Sequence, residues 1–296
     1  MKVGLLTDAP KHNLALMKLS AYHKKNGDDV SLNMPILKSD YRYASILFEK
    51  NINNFIADEY GGIAYVSMRL RNQKSTKPCC EKNRMLPQEI EYIKPDYSLF
   101  NLDFSLGYTY RPCSNLCAFC KVPTINHPDI DHHSIFEFHD PKFNKICLLN
   151  NNTFQDQKWK ETFNEIWDTK LTVIDENGYD LRLIDDEKAE ALKRTKFQGK
   201  IHFAWDRIQD EALIKYGLNI LNEHKLRGNR VYVLIGYDTT EEEDIHRCEV
   251  IRSFGQDPYI MPYNGNKAEK RFKRFIDTFM WRKYKTIKEA WINYSG

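Results

Sequence analysis

The sequence predicts an α/β protein: a small Rossmann-like parallel sheet, followed by a partial TIM-type (β/α)6 barrel. Three observations predict it. Short apolar runs alternate with helix-length amphipathic stretches, the rhythm that builds parallel sheets with helices on their faces. From Ser105 onward six strand candidates alternate with helices over roughly 160 residues; an open doubly wound sheet is the alternative way to arrange them. The chain has 296 residues, 42% hydrophobic and 29% charged, enough to bury a core without disulfide staples.

The elements follow in order. "KVGLLT" at residues 2–7 reads as a short buried strand. Its apolar run ends at Asp8, which fits a strand better than a signal peptide, and no run approaches bilayer length. A cytoplasmic protein with reduced thiols and no membrane partner is therefore expected. Asn13 caps a helix in which Ala15, Leu19 and Tyr22 share a face, and Gly27 follows its end. "DVSLNMP", "YASILF" and "GGIAYV" are further strand candidates. The polar, basic, proline-punctuated residues 71–96 read as a connection, so residues 1–96 form one α/β domain with its linker.

Residues 97–264 carry the six-strand series: "SLGYTY", "KICLLN", "LTVID", "KIHFAW", "RVYVLIG" and "DPYIMPY". Between them, Trp159, Phe163, Ile166 and Trp167 form one apolar helix face, and Leu213, Tyr216 and Ile220 another. Gly255 stands where the helix bearing Ile245, Cys248 and Ile251 should stop. Residues 265–296 give a strong amphipathic helix, with Phe272, Phe275, Ile276, Phe279 and Met280 at helical spacing opposite Lys270, Lys273, Arg274, Arg282 and Lys283. It reads as a helix packed on the barrel with a solvated face, or as a basic surface for nucleic acid or another acidic partner. The net charge of +3 does not by itself argue for nucleic acid.

One loop stands out. "RPCSNLCAFCKVP" at residues 111–123 places Cys113, Cys117 and Cys120 three and then two residues apart, and the seven cysteines of the chain are too odd a number for a fully paired framework. The loop follows the first strand of the series, where α/β proteins carry their chemistry. Iron–sulfur clusters are held by cysteine thiolates; three on one loop hold three irons of a cubane and leave the fourth open. Zinc competes, with His127, His132 or His133 as a fourth ligand. Cys147 and Cys248 read as core, and the adjacent Cys79 and Cys80 as thiols on the connection.

"CSNLCAFC" resembles the C-x3-C-x2-C signature of the radical S-adenosylmethionine (SAM) enzymes, with Phe119 as the aromatic residue common before the last cysteine. "YRPCSNLCAFCKVP" looks like the loop of the subgroup with an N-terminal cobalamin-type domain, and of the methylthiotransferases. The resemblance implies that Cys113, Cys117 and Cys120 hold a [4Fe-4S] cluster whose open iron binds the amino and carboxylate groups of SAM. One electron, from a partner such as a flavodoxin or ferredoxin, then cleaves SAM to a 5′-deoxyadenosyl radical that abstracts hydrogen from a substrate the sequence does not name.

Other landmarks of that family are altered. Where it often has Gly-Gly-Glu, this chain has "LLNNNTF"; Asn150, Asn151 and Asn152 either offer side-chain carbonyls to the SAM amino group or form a polar turn. Arg182 either binds the SAM carboxylate or pairs with Asp180. Asp206 either holds ribose hydroxyls or caps the next helix. Ile235 and Gly236 match the positions that cradle adenine, and Tyr263 lines the pocket or packs. Ser45–Ile46–Leu47 and Gly61–Gly62 match elements of a cobalamin-binding domain. The D-x-H-x-x-G segment is absent, the loop reading "DAPKHNL" with His12 out of pattern, so a degenerate domain without cobalamin is expected. Two alternatives stand beside the enzyme: a non-catalytic iron–sulfur or zinc protein on the same fold, and an RNA-modifying enzyme similar to methylthiotransferases. The latter carry three more cysteines in their N-terminal domain, and here none precedes Cys79.

Overall fold

The structure, a computed structural model, describes residues 1–64, 86–124 and 130–295. Cys79, Cys80 and His127 lie outside them. The chain divides into two compact units, Met1–Asn151 and Asn152–Gly296, both α/β with parallel strands. Among the described residues no helix is long and apolar enough to cross a membrane.

In the first unit, β1 (Lys2–Thr7), β2 (Asp29–Leu32), β3 (Tyr41–Ser45) and β4 (Glu59–Gly61) form a parallel sheet in the order β2-β1-β3-β4. Between β1 and β2 runs α1 (Leu14–Lys25). Asn13 caps it, its Oδ1 accepting the Leu16 N–H at 3.2 Å, which satisfies one of the orphan donors of a helix start. Leu16 and Leu19 turn onto Val3 and Leu5 of the sheet. The fourth strand differs from expectation: among the described residues it ends at Gly61, and Tyr65 and Val66 of "GGIAYV" lie outside them. Gly62 has φ +97°, and a Cβ there would run into the backbone of Ile46, so the chain must turn at that point. The predicted connection also ends inside the fold. Its helix α2 (Gln88–Glu91) brings Ile90 into the Val3–Leu16 core and buries Glu91.

Two further parallel strands complete the described sheet structure of this unit, β5 (Ser105–Gly107) and β6 (Lys145–Leu148). β5 ends three residues before the predicted Tyr110. A Cβ at Gly107 would strike the Phe138 ring, and the next free backbone donors, on Thr109 and Tyr110, turn to Asn150 instead of a neighbouring strand.

The second unit holds α3 (Trp159–Asp168), β7 (Thr172–Ile174), β8 (Tyr179–Asp180), α4 (Asp186–Arg194), β9 (His202–Trp205), α5 (Glu211–Glu223), β10 (Arg230–Ile235), α6 (Glu241–Ser253) and β11 (Asp257–Pro262). Its sheet is parallel throughout, in the order β11-β10-β9-β8. One face carries Phe203, Trp205, Val231, Val233 and Ile260, all at most 0% exposed, packed with the helices; each such side chain contributes roughly 1.5–3 kcal/mol. Strand alternation puts Asp180, Ala204, Tyr232 and Tyr259 on the other face.

Two helix expectations change here. In α5, Leu213 and Tyr216 point outward, 54% and 61% exposed, while Ile214, Leu218 and Leu221 are buried. Gly217 sets that rotation: a Cβ there would collide with the Leu181 carbonyl, so the helix approaches closest along the Gly217 line. The C-terminal stretch is not one helix. α7 (Lys267–Asp277) stops, Phe279 adopts φ +58°, and α8 (Ile287–Ile292) restarts behind a Thr286 cap. The break lets Trp281 turn inward, its Nε1–H donating to the Ile276 carbonyl at 3.0 Å. The Gly255 stop stands as read, and Thr240 opens α6 with a full capping box to Glu243.

Candidate functional site

In the first unit the cysteine loop leaves β5 through a series of fixed points. Asn150, 2% exposed at the end of β6, accepts the Thr109 and Tyr110 N–H groups on Oδ1 at 2.9 and 3.1 Å and donates from Nδ2 to Thr109 Oγ1 at 2.9 Å. Both lone pairs of its carbonyl are thereby engaged, so Asn150 anchors the loop and is not an open acceptor. Asn151 donates to the Arg111 carbonyl. Arg111 stacks on the Tyr108 ring at 4.6 Å and pairs with Glu91, whose Oε1 also receives Lys18 Nζ at 2.6 Å.

Cys113, Cys117 and Cys120 are half-buried and in no disulfide. The Cys120 N–H donates to the Cys117 carbonyl at 2.9 Å, forming the turn that carries both. The Val122 N–H points at Cys120 Sγ at 3.4 Å. Among the described residues no three His, Cys, Asp or Glu side chains are gathered as a ready metal cage. In donor chemistry the loop suits iron–sulfur ligation: three reduced thiols, a backbone N–H on one sulfur, and the cations Arg111 and Lys121 on either flank. His133 directs Nδ1 to Glu137 at 3.0 Å.

The second unit gathers a different set at its strand ends. Asp180 closes β8, and Arg182 follows in a 3-10 turn. Arg182 Nε and NH2 donate to Asp180 at 2.8 and 2.7 Å, and NH1 to Asp210 at 3.1 Å. Three of its five N–H donors thus go to protein carboxylates, the structural pairing weighed above. Asn152 donates Nδ2 to Asp180 Oδ2 at 3.1 Å, while its Oδ1 is buried without a hydrogen-bond partner. That orphaned acceptor is an energetic debit unless a ligand or water meets it.

Asp206 follows β9 and caps no helix; the residues before the next helical turns are Arg207 and Asp210. Burial pushes its carboxyl up to about 6; Arg247 and Arg182 oppose the shift, and Asp180 and Asp210 add to it. Sequence reasoning missed Arg247. Fully buried, it donates from NH1 to the Trp205 and Asp206 carbonyls at 2.9 and 3.1 Å and from NH2 to the Leu234 carbonyl at 2.6 Å. It thereby ties the ends of β9 and β10 to α6. It lies beside the apolar Ile245–Cys248–Ile251 stripe, and nothing in the local pattern marks it.

Ile235 does not face the open side. Its side chain belongs to the core, and its carbonyl accepts the Tyr263 N–H at 3.0 Å. Gly236 does need to be glycine: φ is +76°, and a Cβ would meet the Glu269 carboxylate. Buried Glu269 also accepts the Asn264 and Gly265 N–H groups at 3.0 and 2.8 Å; the Asn266-x-x-Glu269 cap spacing was its signal. Tyr263, 49% exposed, meets Tyr237 edge-on at 4.9 Å. On the basic C-terminal face Lys273 pairs with Asp277 at 2.6 Å and Arg282 with Asp257 at 2.6 Å, and nearby Arg271 stacks on Trp291 at 4.4 Å, while Lys270, Arg274 and Lys283 are exposed.

No protein-family model matches the chain, and no curated protein matches it.

Proposed function

We propose that this protein is a radical SAM enzyme, acting on a substrate whose identity its sequence does not specify. The observation that carries the reading is the Cys113–Cys117–Cys120 loop: three reduced thiols on a segment leaving the carboxyl end of a parallel strand, with no fourth thiol in the loop. When bound there, a [4Fe-4S] cluster supplies the electron that cleaves the SAM sulfonium into methionine and a 5′-deoxyadenosyl radical.

The remaining work falls to the chain's own groups. Asn150 fixes the exit of the loop from the sheet. Within the second unit Asp206 is a carboxylate at a strand end suited to accepting ribose hydroxyls, whereas the space beside Gly236 is taken by the Glu269 carboxylate. Asn152 Oδ1 is an acceptor suited to an ammonium. Arg182 is left out as a carboxylate ligand, because its Nε/NH2 edge is paired with Asp180 and its NH1 also reaches Asp210. A partial-barrel arrangement, a flavodoxin- or ferredoxin-type reductant and a cytoplasmic setting belong to the same proposal.

Anaerobic reconstitution tests it. The expected result is about four irons per chain, loss of iron in Cys117→Ala, and 5′-deoxyadenosine after reduction with SAM. One tightly held zinc, no iron and no cleavage would instead establish a metal-binding protein without this activity.

A further inference from the structure

We propose that the first sheet of the first unit serves as a clamp that holds the cysteine loop through two ion pairs, one on each side of the three thiols. On the entry side, Arg111, two residues before Cys113, pairs with Glu91. Glu91 is buried, and Lys18 of α1 grips the same carboxylate oxygen at 2.6 Å. Its seat is fixed by its neighbour Ile90 in the sheet's core. On the exit side, Lys121 follows Cys120 directly and reaches Glu49 at 2.9 Å.

Glu49 is itself held from beneath. It opens the 3-10 turn Glu49–Asn54 behind β3. The Asp8 carboxylate, at the end of β1, accepts the Leu47 and Phe48 N–H groups at 2.7 and 3.0 Å and Asn51 Nδ2 at 2.9 Å. This is the switch point of the sheet, where the strand order reverses between β1 and β3 and where open α/β sheets bind ligands. Here the protein's own side chains bond across the two strand ends. Thr7 Oγ1 donates to the Ser45 carbonyl at 2.6 Å, and Asn13 Nδ2 to Ser45 Oγ at 2.8 Å. The residues that resemble a cofactor-binding domain thus connect, through Glu49 and Glu91, to both ends of the thiol loop. That the loop holds a cluster rests on the reading above; the clamp itself does not.

Thiol alkylation in the full-length, reduced, metal-free chain separates the two. The rate at each cysteine is read by peptide mass mapping with iodoacetamide as the probe. Lys121→Gln is expected to speed Cys120 by about fivefold, the scale of one exposed ion pair, and Arg111→Gln, which breaks the more buried pair, to speed Cys113 by at least as much. Cys147, buried in β6 of the same unit, should not change. The direction is diagnostic: losing a pair that holds the loop opens the neighbouring thiol to the reagent and speeds its alkylation. Lys121→Arg should restore the wild-type rate at Cys120. Slowed or unchanged rates at Cys120 in folded Lys121→Gln overturn the clamp. Should Arg111→Gln expose Cys147 as well, the fold has opened and the exit-side pair decides. Iron content and 5′-deoxyadenosine report separately on the enzyme reading, so either idea can fail without the other.

Discussion

Two sets of strand ends in this molecule are built alike and finished differently. At the carboxyl ends of β1 and β3 each polar group described finds an internal partner: Asp8 takes three donors, and Thr7, Asn13 and Ser45 bond one another. At the carboxyl ends of β8 and β9, Asn152 keeps a buried carbonyl without a partner, and Asp206 keeps a carboxyl that burial has pushed up to about 6. Satisfied ends stabilise a fold; unsatisfied ends hold a cost that a bound molecule can relieve. Both are parallel α/β sheets, so the difference lies in a few side chains and not in architecture.

The largest effect that sharpens this contrast is expected at Gly62. A side chain there meets Ile46 backbone at a φ of +97°, so Gly62→Ala should cost about 3–5 kcal/mol. Urea denaturation followed by hydrogen exchange in β1 would register it, and a variant as stable as the parent would contradict the tight β3–β4 closure. Next comes Asp8→Ala, which strips three donors of their acceptor and should destabilise by about 2–3 kcal/mol in the same assay. An unchanged midpoint would mean that the first sheet's ends are not bound up as described.

The smallest effect has the opposite sign. The Asp206 carboxyl is raised in the folded chain from its usual 3.8 to about 6. The folded state therefore holds that proton more tightly than the unfolded one. Stability is lost as pH rises from about 4 to 6, and the penalty stays in full above that. Asp206→Asn escapes it and should be more stable than the parent by about 1–2 kcal/mol at pH 7, solvent access tempering the gain, with no difference near pH 3. Thermal melts across that range, taken as variant minus parent, isolate Asp206 from other titrating carboxylates. Destabilisation at pH 7 would show that Asp206 belongs with the satisfied ends.

Much of this was legible in the sequence. Each of the six strand candidates from Ser105 onward holds a strand, because strand-length apolar runs between polar turns leave little choice of where to pair. The cap at Asn13 was readable because capping is local chemistry. The failures share a cause. Leu213 and Tyr216 were placed inward because the pattern does not show that Gly217 lets α5 close on residue 181. The C-terminal helix was read through Phe279 because a left-handed residue that lets Trp281 turn inward is a tertiary effect. At the site, the three thiols were plain from spacing. Arg247, Glu91 and the commitment of Arg182 were not, since each is defined by partners distant in the chain.

The segment from Gly107 to Cys113 carries one more consequence. It is held by the Phe138 ring against Gly107, by Asn150 at Thr109 and Tyr110, and by Glu91 at Arg111. Three moorings at set intervals make it a ruler. Its residues can change where their backbone groups do the bonding, but its length cannot. A single inserted residue would slip one mooring and swing the first thiol away from its place, whereas the stretch between Cys113 and Cys117 is free to carry an 85% exposed Leu116.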